Sequence, residues 1–138
     1  MRALALRDRS HPAVVALASS LGNSAAIDSY LRQWWVTVPD PENVEFISAP
    51  VRQLALAAEA GHLAGDCDDA ATLAACLLSA IGWPCSLVAI RLHDSTEFSH
   101  VFARTVATPR GPSLDIDPIV PANMLPITNY AEAMEVEL

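Results

Sequence analysis

A chain of 138 residues, 52% of them apolar, is long enough to bury one hydrophobic core and is read as one domain, 1–138. Its formal net charge of −8 argues against nucleic acid as a partner, because phosphate binding needs a basic surface. No apolar run reaches membrane-spanning length, and the start around Arg2, Arg7 and Arg9 lacks the pattern of a signal peptide, so no membrane association and a cytoplasmic location are expected.

Ser10-His11-Pro12 has the form of a helix start, with proline tolerated in the first turn, and the helix is expected to run to about Ser20. Ile27, Tyr30, Leu31, Trp34, Trp35 and Val38 recur at helical spacing and predict a second helix from Ser24. These N-terminal helices together cover about 11–38, although β-branched Val36, Thr37 and Val38 blur the end. Pro39-Asp40-Pro41-Glu42-Asn43 ends that element, and a loop or irregular extended segment carries the chain to Pro50. A third helix is predicted over 50–60, and a fourth over 67–81, closed by Gly82-Trp83-Pro84. The fourth is rich in alanine; a thin helix lets neighbours approach closely and is expected at the centre of the fold. Strands are predicted at 85–92, 97–106 and 113–117, and the tail over 119–138 is expected to be irregular.

The chemistry concentrates in Gly65-Asp66-Cys67-Asp68-Asp69, Ser99-His100-Val101-Phe102 and Leu114-Asp115. Three cysteines cannot close a disulfide framework. Cys76 and Cys85 read as buried small hydrophobes, whereas Cys67 opens a helix, where the dipole favours negative charge. A thiol titrates at ~8.5 and needs activation to attack at neutral pH. Asp66 is placed to cap the helix, and Asp68 or Asp69 to turn toward Arg91 or Arg104. Alternation along the strand puts Phe98, His100 and Phe102 on one face. Taken singly, Cys67 reads as an inert cysteine in a capping turn and His100 as a core histidine. Taken together, they read as a nucleophile and its base. Asp115 or Asp117, sharing a face if the segment is extended, would orient the imidazole. The backbone N–H of Cys67 is the first candidate oxyanion donor, with Gln53, Trp34 and Trp35 as weaker ones. His62, Cys67, Asp68 and His100 offer mixed metal ligands but lack a second Cys or His at ligand spacing, so neither a metal nor another cofactor is expected.

On these residues the chain resembles the transglutaminase-like superfamily, and more closely its short members encoded by bacteriophages and prophages. The matching motifs are Val38-Pro39-Asp40-Pro41, Ala49-Pro50, Gly65-Asp66-Cys67-Asp68-Asp69, Ile81-Gly82-Trp83-Pro84, Ser99-His100-Val101-Phe102 and Leu114-Asp115, a core of about residues 36–121. The resemblance departs where Gly111-Pro112-Ser113 stands in place of a tryptophan and Ala103-Arg104 in place of an acidic residue. It implies a papain-like α+β fold with helices packed on a small antiparallel sheet. It also implies a Cys-His-Asp triad of Cys67, His100 and Asp115, with Asp117 as the alternative acid. The activity to expect is that of a cysteine peptidase or amidase working on a protein or peptide through a thioacyl-enzyme. Two other uses of the same fold are a protein cross-linking acyltransferase and a catalytically silent binding module, with phage structural proteins as partners. All basic side chains are arginine, so the chain has no lysine amine of its own to offer as acyl acceptor. Oligomeric state is not legible in the sequence.

Overall fold

The computed structural model describes residues 1–42, 44 and 46–138, so Asn43 of the expected loop lies outside the described residues. In chain order the elements are α1 (Arg2–Asp8), α2 (Pro12–Leu21), α3 (Ser24–Trp34), β1 (Trp35–Thr37), α4 (Pro50–Ala60), β2 (Leu63–Gly65), α5 (Cys67–Ala80), β3 (Cys85–Arg91), β4 (His100–Thr105), β5 (Asp115–Ile116) and β6 (Glu132–Glu137), with a short 3₁₀ turn at Ala122–Met124. Four strands form an antiparallel sheet in the order β5-β4-β3-β6. β1 and β2 form a separate parallel pair.

The centre of the molecule is α5. Ala70, Ala71, Ala74 and Ala75 are at most 2% exposed, and their small side chains let α1–α4 and the sheet close on the helix from opposite sides. One sheet face, including Leu87, Val101 and Ala103, joins the α5 core. The other face carries Val88, Ile90 and Phe102, covered by Ile127 and Tyr130 of the C-terminal segment. At the far end of α5, Arg110 stacks over Trp83, with its guanidinium carbon 4.5 Å from the ring centroid, and donates to the carbonyls of Ile81 and Gly82. Gly111 fits against the same indole, where a Cβ would come within 3.3 Å.

Helices α2, α4 and α5 and strand β3 fall where the sequence predicts them, and His11 and Asn23 supply the caps of α2 and α3. Four expectations need correction. First, α1 is unforeseen; it is short and has no side-chain cap, and packing of Ala5 into the core holds it. Second, α3 stops at Trp34, because the β-branched residues that follow pair with β2 instead of continuing the helix. Third, the second and third strand candidates shorten to His100–Thr105 and Asp115–Ile116. Fourth, the tail is not wholly irregular: β6 pairs with the edge of β3. Its acidic sequence has weak strand propensity, and the exposed ladder of β3 supplies what propensity does not.

Candidate active site

The site begins at the turn between β2 and α5. Gly65 has φ +154°, and a Cβ there would lie 2.6 Å from Cβ of Asp69, so the close approach admits no side chain. Asp66 is the N-cap: its Oδ1 accepts from the amides of Asp68, at 3.0 Å, and Asp69, at 3.4 Å. The amide of Ala70 bonds to the Asp66 carbonyl. Cys67, in the first helical position, keeps its own N–H outside these capping bonds.

Asp69 does not turn toward Arg91 or Arg104. Its buried carboxylate accepts the amide of Ser48 at 2.6 Å and fastens the segment before α4 to the start of α5. Burial raises its pKa, with the charges of Asp66 and Asp40 adding and the hydrogen bonds from Ser48 and Asp66 opposing. Gln53 completes the clamp, donating from Nε2 to the carbonyls of Ser48, at 2.9 Å, and Asp69, at 3.2 Å. Both amide hydrogens are thus committed, and Gln53 is not free to serve as an oxyanion donor. Arg91 instead meets Glu132 and the carbonyl of Ser95.

His100 is the first residue of β4, and its side chain is 17% exposed. His100 and Phe102 share a face as predicted, their ring centroids 6.3 Å apart, whereas Phe98 lies in the loop before the strand. Nε2 of His100 meets Oδ2 of Asp117 at 2.5 Å. Burial works to lower the pKa of His100. Hydrogen bonds with Asp117 and Cys67, together with their negative charge, outweigh it and raise the value to about 9. The Asp117 pairing thus favours the imidazolium form. Oδ1 of Asp117 accepts the amides of Ile119 and Val120, so this carboxylate, 2% exposed, is fully partnered.

Asp115, the first choice for the third member, is not at His100. It takes Arg104 in a two-pronged pair at 2.7 and 3.1 Å and also accepts the amide of Ile127 at 3.2 Å. The reason is strand register. Arg104 lies directly opposite Asp115 across the β4–β5 ladder, so the residue carried toward His100 is Asp117, two positions further on. Face parity makes the two aspartates equivalent. The signal that separates them is Arg104, which shares the face of His100 and needs an acid opposite it.

Cys67 and His100 line one cleft of about 370 Å³ with Asp66, Asp68, Phe98 and Ser99. Trp34, Trp35 and Gln53 are not among its walls. Trp34 faces a different cavity, formed with Tyr30, Leu54 and His62. The indole N–H of Trp35 is buried and has no hydrogen-bond partner among the described residues. Among the described residues, no three His, Cys, Asp or Glu side chains gather as a metal-ligand set.

No family model matches the sequence, and no curated protein sequence matches it. Solved structures do. Calcium-bound LapG of Legionella pneumophila matches with a TM-score of 0.56 at 19% identity, over 86% of this chain and 70% of that one. EGTA-treated LapG matches at 0.52 and 19% identity, over 95% of this chain and 68% of that one. At this identity the likeness is one of architecture, and it agrees with helices packed around α5 and closed by a small antiparallel sheet: the chain has the papain-like, transglutaminase-like α+β fold.

Proposed function

We propose that this protein is a transglutaminase-like cysteine peptidase or amidase acting on a protein or peptide, with Cys67 as nucleophile, His100 as acid and base, and Asp117 as the orienting carboxylate. The observation that carries the proposal is the convergence in one cleft of Cys67, at a helix N-terminus, with His100, whose ring is held by the buried Asp117. The papain-like, transglutaminase-like fold, shared with LapG, is compatible with it. Kinship with phage and prophage proteins rests on the sequence motifs alone.

With Nε2 held by Asp117, Nδ1 is the imidazole nitrogen available to the thiol. The reacting state is a Cys67 thiolate beside the His100 imidazolium. The thiolate sulfur bonds to the substrate carbonyl carbon, and the carbonyl electron pair moves to oxygen. The resulting oxyanion lies within reach of the Cys67 amide, at the positive end of α5. As that oxygen reforms its double bond, the C–N bond breaks and His100 gives its proton to the departing amine. A thioester remains. Water then attacks it, losing a proton to the now neutral His100. Collapse releases the carboxylic acid and restores the thiolate and the imidazolium. An amine in place of water would give a cross-link from the same thioester.

Iodoacetamide labelling from about pH 5 to 9, read by mass spectrometry, tests the nucleophile. Cys76 and Cys85 are internal controls, since burial pushes their thiols up to about 12 and about 11. Selective labelling of Cys67 below the range of an ordinary thiol, lost in His100→Ala, is the expected result. Labelling of Cys67 no faster than a free thiol would overturn the proposal.

A further inference from the structure

β6 is the outermost strand of the four-stranded sheet, and every one of its residues is exposed. The amide of Leu138 bonds to the Cys85 carbonyl, and in the β3–β6 register this turns the backbone groups of Glu132, Met134, Val136 and Leu138 toward β3. Those of Ala133, Glu135 and Glu137 point away from the sheet. Arg2 covers the end of this row, donating from Nε to the Glu137 carbonyl at 2.8 Å. Among the described residues, no hydrogen bond reaches the backbone of Ala133 or Glu135. The edge is a short open ladder, able to take another strand.

The two faces beside the ladder differ. On the α5 side, Met134 and Val136, 53% and 39% exposed, line a recess of about 190 Å³ with Leu87, Ala89 and Val101. Glu132, on that side, is paired with Arg91. On the opposite side stand the exposed side chains of Glu135 and Glu137, while Arg104 on the same face is committed to Asp115. A second copy of the chain is a poor match for this edge. Two β6 strands paired antiparallel about Glu135 would set its carboxylate directly against its own copy, and like charges opposed in this way destabilise a ladder.

We propose that the β6 edge is a docking site for an extended basic segment of a partner protein, which adds to the sheet as a fifth strand. Its lysines or arginines face Glu135 and Glu137, and its alternate, apolar residues face the recess at Met134 and Val136. Charge complementarity names the occupant: bonds to the Ala133 and Glu135 backbone supply attachment, and the carboxylates on one face select the sign. Cys67 takes no part in this docking.

The native protein is titrated with N-acetyl-Lys-Val-Lys-Val-Lys-amide while its backbone amides are followed by NMR. Shifts centred on Ala133 and Glu135 are expected, with slowed hydrogen exchange at both amides. Affinity should be at least about tenfold above that of the matching Glu-Val-Glu-Val-Glu peptide. Methylating the backbone nitrogens of the lysines removes the N–H groups that would meet the edge carbonyls, and should abolish the shifts. Glu135→Lys combined with Glu137→Lys should invert the preference between the two peptides. The proposal is overturned by the absence of shifts at the edge, by equal affinity for both peptides, or by binding that survives methylation. A dimer in sedimentation velocity without peptide, with the same two amides protected, also overturns it, because the edge then belongs to a second copy.

Discussion

Two aspartates on one short stretch have opposite duties. Asp117 partners His100, whereas Asp115 ties Arg104 and the Ile127 amide together. Asp117→Asn should therefore slow Cys67 labelling and any peptide turnover about 10²- to 10⁴-fold, as expected when an imidazole loses its orienting carboxylate. Asp115→Asn should leave iodoacetamide labelling near native and instead cost about 1–3 kcal/mol of stability, read from urea unfolding. A reversed pattern would return the orienting role to Asp115. The raised pKa of His100, about 9 against an ordinary 6.5, also has a stability consequence. A group held charged in the fold stabilises fully below its unfolded pKa. That contribution fades as pH rises through the folded value. The difference in urea midpoint between native protein and His100→Gln should thus be widest below about pH 6.5 and shrink toward pH 9. A difference that grows with pH would contradict the imidazolium assignment.

The start of α5 is built by contacts that come from outside the helix as well as from its own cap. Asp66 satisfies two of its amides, while Asp69 and Gln53 bind the segment leading into α4. Gly65→Ala would force a methyl against the Asp69 side chain in a backbone region that L-residues avoid. A loss of about 1–3 kcal/mol is expected, with the clamp displaced and Cys67 labelling slowed. Measuring stability and labelling together checks the claim; loss of neither would show that Asp69 yields easily. Asp66→Ala, which removes the cap alone, should cost about 1 kcal/mol.

Across the whole molecule, α1 does more than fill space. Asp8 sits at its end, bonded to Arg7 at 2.6 Å, and its second oxygen accepts the Val51 amide at 3.1 Å, capping α4 from another helix. The Arg7 hydrogen bond, the Val51 amide and the charges of Arg7 and His11 hold its carboxyl below the usual range, against burial. Such a group stabilises above its unfolded pKa, and that stabilisation disappears as pH falls through the folded value. Asp8→Ala should cost about 1–2 kcal/mol at neutral pH by thermal or urea unfolding, with the deficit closing in acid. An equal deficit at low pH would point to packing rather than charge. No helix among the described residues is long and apolar enough to cross a membrane.

Local chemistry by itself determined a good deal. The prolines at 12 and 50 and the glycines at 22, 61 and 82 bracket helices, and the alanine-rich pattern of α5 places that helix at the centre. The motifs around Cys67 and His100 are enough to single out these two side chains, which the fold brings to one cleft. What tertiary structure decided are the features that depend on a partner remote in sequence. Register between β4 and β5 chose Asp117 over Asp115, a choice that strand periodicity leaves open. The free edge of β3 made a strand of an acidic tail, and the α5 core made a helix of an uncapped N-terminal segment. Gln53, a candidate donor by composition, was committed to the Ser48 and Asp69 carbonyls by the approach of α4 to α5. Local propensity is a weak prior, and a buried ladder edge, a close helix contact or an unpaired amide overrides it.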